Sequence, residues 1–171
     1  MPNTFELIAS STVGSGGAAA IDFTSIPSTY TDLVVKCSIR DTTGGAGAYL
    51  YLRFNNDSGT NYSTRTIEGN GASAASYAST SQNKMLLWNT NGGGATASTF
   101  ANSELYVPNY LSSNQKSVSF DTVAETNATT QYMDLVAGIW TGTAAINRIT
   151  LLPDAGFAQY STAYVYGVKN A

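Results

Sequence analysis

Three acidic residues, Glu104, Asp121 and Asp134, fall on segments that read as strands. Two carboxylates facing each other across a groove would suit acid–base cleavage of a glycosidic bond. Their spacing gives no reason for any two to meet, and Asp57, Glu125 and Asp154 sit in turns. The chain has no histidine, so the Ser-His and Cys-His nucleophile pairs are excluded. Cys37, the only cysteine, lies within an apolar alternation and reads as a buried, inert thiol. The glycine clusters at 14–17, 44–47 and 92–94 lack the Lys-Ser/Thr of a phosphate loop. Asp57–Asn61 (DSGTN) offers oxygen ligands, but too few for a calcium loop. No catalytic residue, metal or cofactor is therefore predicted, and the chain reads as a non-enzyme.

Aromatic residues say more. Tyr49 and Tyr51 share one face of a predicted strand, and Tyr164 and Tyr166 share one face of another. Exposed tyrosine pairs stack on sugar rings or anchor a protein interface, and the alternative is that a second sheet or a long loop covers them. Of the two exposed options the protein interface is favoured. The predicted strands carry few of the lysines that guard sheet edges, which points to a symmetric trimer or dimer that covers those edges.

The elements that must hold these residues are strands. Around 30–56, Leu33, Val35, Cys37 and Ile39 alternate with polar neighbours, and Leu50, Leu52 and Phe54 alternate with Tyr49, Tyr51 and Arg53. That period of two marks half-buried strands, with Tyr49 and Tyr51 turned outward. Further strands are predicted at 5–9, 21–23, 62–67, 84–88, 99–107, 116–123, 131–141, 146–152 and 162–168, and Pro108 and Pro153 stop two of them. The strand at 131–141 has apolar residues on both faces: Met133, Leu135, Ala137 and Ile139 on one, Tyr132, Val136 and Trp140 on the other. Residues 68–83 are almost all Gly, Ala, Ser and Asn and read as a loop, mobile or ordered by a neighbour. No segment has a helical period. The predicted fold is all-β: one domain over 1–171, an antiparallel two-sheet β-sandwich, jelly-roll-like.

Bulk composition agrees. Charged residues make up 11% of the chain, far below the roughly 25% of ordinary soluble domains. Eight basic against eleven acidic residues, with no run of either sign, argue against nucleic-acid and anionic-membrane partners. The N-terminus lacks the basic start and apolar run of a secretion signal, so synthesis in a cytoplasm without cleavage is expected.

The sequence resembles a group of small virion proteins of tailed bacteriophages. The likeness is carried by Phe5–Ala9 (FELIA), Gly14–Ala18 before Ile21–Phe23, Ile26–Leu33 (IPSTYTDL), Leu52–Asn56 (LRFNN), Asn61–Ser63, Ile149–Pro153 (ITLLP) and the C-terminal QYSTAYVYGVKNA from Gln159. These are fold-bearing stretches without site chemistry. The resemblance implies a capsid decoration (cement) protein, trimeric and seated on the outer capsid surface, whose partner is the major capsid (coat) protein. The alternative it implies is a tail-fibre or adhesin module that binds a receptor or glycan, with Tyr49, Tyr51, Tyr164 and Tyr166 as platforms. On the first reading residues 1–18 are an N-terminal docking arm, and their removal is expected to abolish shell binding without unfolding the sandwich.

Overall fold

The computed structural model describes residues 4–128 and 131–169. Among them there is no helix. The strands are β1 (Phe5–Thr12), β2 (Ile21–Phe23), β3 (Asp32–Ile39), β4 (Gly47–Phe54), β5 (Tyr62–Gly69) and β6 (Ala74–Gln82). They continue as β7 (Met85–Asn91), β8 (Ala101–Val107), β9 (Lys116–Val123), β10 (Met133–Trp140), β11 (Ile149–Pro153) and β12 (Thr162–Val168). One sheet has the order β1-β12-β3-β8-β9-β10-β5-β6 and the other β2-β11-β4-β7, and their ladders are antiparallel. The two sheets form a β-sandwich.

Period-two patterning explains the core. Leu33, Val35 and Ile39 of β3 and Leu50, Leu52 and Phe54 of β4 are each no more than 1% exposed, and they meet Ile149, Leu151, Phe120 and Val136 between the sheets. Cys37 lies in this layer, where burial pushes its thiol up to about 12, as an inert thiol should be.

The pairing is nested along the chain: β1 with β12, β2 with β11, β3 with β8 and β4 with β7. Four strands stand outside this nest, β5 and β6 between β4 and β7, and β9 and β10 between β8 and β11. All four extend the same end of the larger sheet.

Two expectations are corrected. The stretch 68–83 is not a loose loop: Glu68 and Gly69 end β5, and Ala74–Gln82 is β6, paired to β5 along its length. The Asn70 side-chain oxygen accepts hydrogen bonds from the backbone N–H groups of Ala72 and Ser73 and so builds the turn between them. No residue of β6 is buried, so its sequence carries no hydrophobic alternation to read. Nor do residues 4–18 of the expected docking arm stand apart from the sandwich; Met1–Asn3 lie outside the described residues. Phe5–Thr12 is an edge strand on β12, and beyond it Val13 is buried and its N–H bonds the Ser161 carbonyl. A register shift between Leu7 and Ala9 turns Phe5 and Leu7 out to solvent, while Ile8 and Ala9 pack on the core. Deleting 1–18 would therefore strip an edge strand from β12, not a tether.

One arginine organises the loop after β7. The Arg40 guanidinium donates to the carbonyls of Gly93, Ala95, Thr96 and Thr99 at 2.8–3.0 Å. A lysine cannot reproduce that planar fork. Arg40→Lys is expected to cost about 1–2 kcal/mol and to speed amide hydrogen exchange selectively over 92–99. Unchanged exchange there would show that the loop holds itself.

Candidate interaction surface

The end of the large sheet built from β9, β10 and β5 carries an unusual outer face. On β10, Asp134, Val136, Gly138 and Trp140 are buried and Met133, Leu135 and Ala137 are exposed. Two fits fix this choice. A Cβ on Gly138 would lie 2.5 Å from the Met85 sulfur and 3.0 Å from a Val118 methyl, so glycine lets these two buried side chains pack close there. The Trp140 indole N–H also donates to Asp57 Oδ2 at 2.7 Å. The price of that register is an apolar face turned to solvent. Leu135 (58% exposed) stands beside Ile67 (62%) of β5, and Met133 (59%) stands beside Val123 (42%) of β9. Shallow grooves flank the Leu135–Ile67 ridge, one lined by Arg65 and Ala137, the other by Met133 and Val123.

Charged groups mark two corners of this face. On β9, Asp121 is the cross-strand neighbour of Leu135; on β5, Arg65 is that of Ala137. Neither forms an ion pair among the described residues. Partial burial and the nearby Glu104 raise the Asp121 carboxyl above its ordinary value.

A second exposed apolar area lies at the other end of the same sheet. Phe5 and Leu7 of β1 are both 53% exposed. Tyr164 and Tyr166 of β12 are half-buried beside them, opposite Ser10 and Leu7.

The four tyrosines do not form one platform. Tyr164 and Tyr166 face outward from the large sheet, Tyr49 and Tyr51 from the small one. Tyr49 and Tyr51 join residues that sequence reasoning did not group with them. Tyr49 meets Trp88 of β7 edge-on with ring centres 5.7 Å apart, and Tyr77 of β6 lies against Trp88 at 4.5 Å. The Lys84 ammonium sits 3.3 Å from the centre of the Tyr51 ring. Burial and then Asp154 push the Tyr51 hydroxyl up to about 12.

The carboxylates pair differently from any spacing argument. Glu104 and Asp121 are cross-strand neighbours on the outer face, and Lys36 holds Glu104 at 2.8 Å. Asp134 turns inward beside Glu68, which the sequence alone places in the 68–83 loop and which here ends β5. The Asn89 side-chain N–H group donates to Glu68 Oε2 at 2.9 Å and to Asp134 Oδ2 at 3.1 Å, and the Asn89 backbone N–H also donates to Asp134. Tyr77 donates to Glu68 Oε1 at 3.2 Å. Asn89 belongs to the small sheet and both acids to the large one, so this is a polar clasp between the layers. Burial, with Glu68 nearby, pushes the Asp134 carboxyl up to about 6 despite the Asn89 donors. Among the described residues no three metal-ligating acidic, cysteine or histidine side chains come together. The Asp57 carboxylate builds its own turn, accepting from Gly59 N–H and the Asn61 amide, and also takes the Trp140 indole N–H.

Taken together, these features define a class: an all-β, two-sheet sandwich whose larger sheet is widened by two extra strand pairs and bears exposed apolar area at both ends. No family model matches the chain, and no curated protein or solved structure matches it either.

Proposed function

We propose that this chain is a non-enzymatic virion structural protein of the capsid-decoration kind, which binds the coat-protein shell from outside and bridges neighbouring subunits. The observation that carries this reading is the pair of exposed apolar areas, Phe5/Leu7 with Tyr164/Tyr166 and Ile67/Leu135 with Met133/Val123, at opposite ends of one sheet. A bridging protein needs two contact surfaces on a rigid body, and exposed apolar patches are where protein contacts form. Repetition of a modest contact over many copies supplies avidity that a single site lacks. The nested strand pairing supports the same reading: we infer a jelly roll of β1–β4, β7, β8, β11 and β12 with two inserted strand pairs, an architecture common in viral coats. The inserts would then be what adapts it to contact.

Co-sedimentation of the purified chain with empty phage shells tests the proposal. Saturable binding that Leu7→Glu weakens about tenfold or more is expected. Failure to pellet with shells, alongside binding on a glycan array, would favour the second reading. That reading has its own observation, the Tyr49 and Tyr77 rings, about 40% exposed on either side of Trp88. Aromatic rings with one open face are what sugar rings stack on.

A further inference from the structure

The β9–β10–β5 face has properties beyond its apolar character. Its two unpaired charges have opposite sign and stand at opposite corners. Strand spacing of about 4.8 Å and about 6.7 Å per two residues puts the Arg65 and Asp121 Cα atoms roughly 12 Å apart, with Leu135 and Ala137 between them. Consider a two-fold axis lying in the plane of the interface, perpendicular to the Arg65–Asp121 line and passing between Leu135 and Ala137. Such an axis turns a second copy face to face with the first. It lays Arg65 over the partner's Asp121, and Asp121 over the partner's Arg65. The same operation carries Ile67 onto the gap between the partner's Leu135 and the partner's Met133, so apolar meets apolar. It brings the partner's Glu104 to the Arg65 side, not onto another acid. The neighbouring edge strand β6 (AASYASTSQ) has no charged side chain to oppose the approach.

We propose that the outer face of β9–β10–β5 is a two-fold interface for a second copy of this chain, with Arg65 of each copy paired to Asp121 of the other. Self-pairing needs one surface to be its own complement, in shape and in charge, and that is a stricter demand than being apolar. Two sheets stacked about 10 Å apart leave space for one layer of interdigitating side chains, which the Leu135–Ile67 ridge and its flanking grooves supply. Contact with another copy removes Ile67, Leu135 and Met133 from water and gives Arg65 and Asp121 an ion-pair partner. Within its own chain Arg65 donates to the Thr64 carbonyl, and Asp121 feels Lys36 only at a distance. The proposal does not depend on shell binding. If the function proposed above also holds, this face joins two copies rather than contacting a second coat subunit, and the bridging body is the pair, with one β1–β12 end from each copy on the shell.

Sedimentation velocity of the full chain across a concentration series tests it, with circular dichroism confirming the fold of each variant. The wild type is expected to sediment as a dimer that dissociates on dilution. Leu135→Glu is expected to raise the dissociation constant at least about 30-fold. Arg65→Asp and Asp121→Arg each face like charge against like at two places, and each should weaken pairing about tenfold. The double variant Arg65→Asp/Asp121→Arg restores opposite pairs and should recover most of that loss. Recovery is the decisive result, because a merely structural effect of either substitution would add rather than cancel. A wild type that stays monomeric, or that forms a trimer unaffected by Leu135→Glu, overturns the proposal. So does a monomer whose shell co-sedimentation is abolished by Leu135→Glu, which would give this face to the coat protein.

Discussion

Gly92→Ala is expected to destabilise the fold by about 3 kcal/mol, an unusual loss for adding one methyl group at a loop position. Three glycines at 92–94 lie backbone against backbone with the 43–47 segment. Gly92 N–H bonds the Ala46 carbonyl at 2.8 Å, Gly93 N–H the Thr43 carbonyl at 2.7 Å and Gly94 N–H the Gly45 carbonyl at 3.0 Å. A Cβ on Gly92 would run into the Gly45 carbonyl oxygen and stand 3.1 Å from its carbon, and one on Gly93 would lie 2.7 Å from the Thr43 oxygen. The obstacles are main-chain atoms already fixed by those three bonds, so no side chain can swing aside. Either the interlock opens or the β3–β4 and β7–β8 connections shift together. Gly14→Ala is the matched control: its Cβ meets nothing within 4 Å, and a change within about 0.5 kcal/mol is expected. Urea unfolding of the two variants reads the contrast. Equal midpoints would mean that the 43–47 and 92–94 segments do not interlock.

These glycines also show what kind of information a sequence carries. Clusters at 44–47 and 92–94 are legible as loops, because glycine breaks a strand pattern. Their mutual contact is not, since it joins main-chain atoms distant in sequence and leaves no side-chain signature. The same limit explains β6. Strand β4, and β3 from Val35 onward, are readable because one face is buried and the other at least partly open, which writes the period into the residues. A strand with no buried face, such as Ala74–Gln82, writes nothing; it is held by the β5 ladder and by Tyr77, which packs on Trp88 and bonds Glu68.

The interaction surface was half legible. Two apolar faces on one strand were visible at 131–141, but which of them meets the core depends on fits that only the third dimension supplies. Gly138 against Met85 and Trp140 against Asp57 decide it. The larger aliphatic set, Met133 and Leu135, is then left outside. A choice of the inner face by hydrophobic content alone would have had it reversed. For the tyrosines, the sequence pairs residues within a strand and says nothing about which sheet each strand joins, so Tyr49/Tyr51 and Tyr164/Tyr166 end on opposite sides of the sandwich. Asp134 was a candidate for chemistry as one of three strand carboxylates, yet its partner Glu68 lay in a stretch without visible pattern. Amide and acid meet only because β7 crosses the inner face of β5 and β10.

Asp134 supplies the prediction with the clearest sign. Its carboxyl rises from an ordinary 3.8 to about 6 on folding, through burial first and the charge of Glu68 after the opposing Asn89 bonds. A carboxyl raised in the folded state favours folding while it is protonated. Its contribution is complete below the unfolded value near 3.8 and is lost as pH climbs through about 6. At neutral pH the folded protein therefore holds an ionised Asp134 beside Glu68, with no cation bonded to either among the described residues. From well below pH 3.8 up to pH 7.5 the largest stability change this group can impose is about 3 kcal/mol, set by the distance between the two values. Asp134→Asn keeps the shape and an acceptor for the Asn89 N–H groups but cannot ionise. The variant is expected to be more stable than the wild type at pH 7.5, by about 1–3 kcal/mol. At pH 4.5 that advantage should fall to about a third, because the unfolded carboxyl is still mostly ionised there, and it vanishes only below the unfolded value near 3.8. Chemical denaturation of both proteins at the two pH values separates this from a general packing effect, which would shift stability equally at each. Every other acidic side chain is present in both proteins, so the difference between the two pH profiles reads Asp134 together with its interaction with the neighbouring Glu68. A variant less stable than wild type at pH 7.5, with the pH slope unchanged, would mean that the carboxylate strengthens the clasp through its bonds to Asn89 more than its charge weakens it.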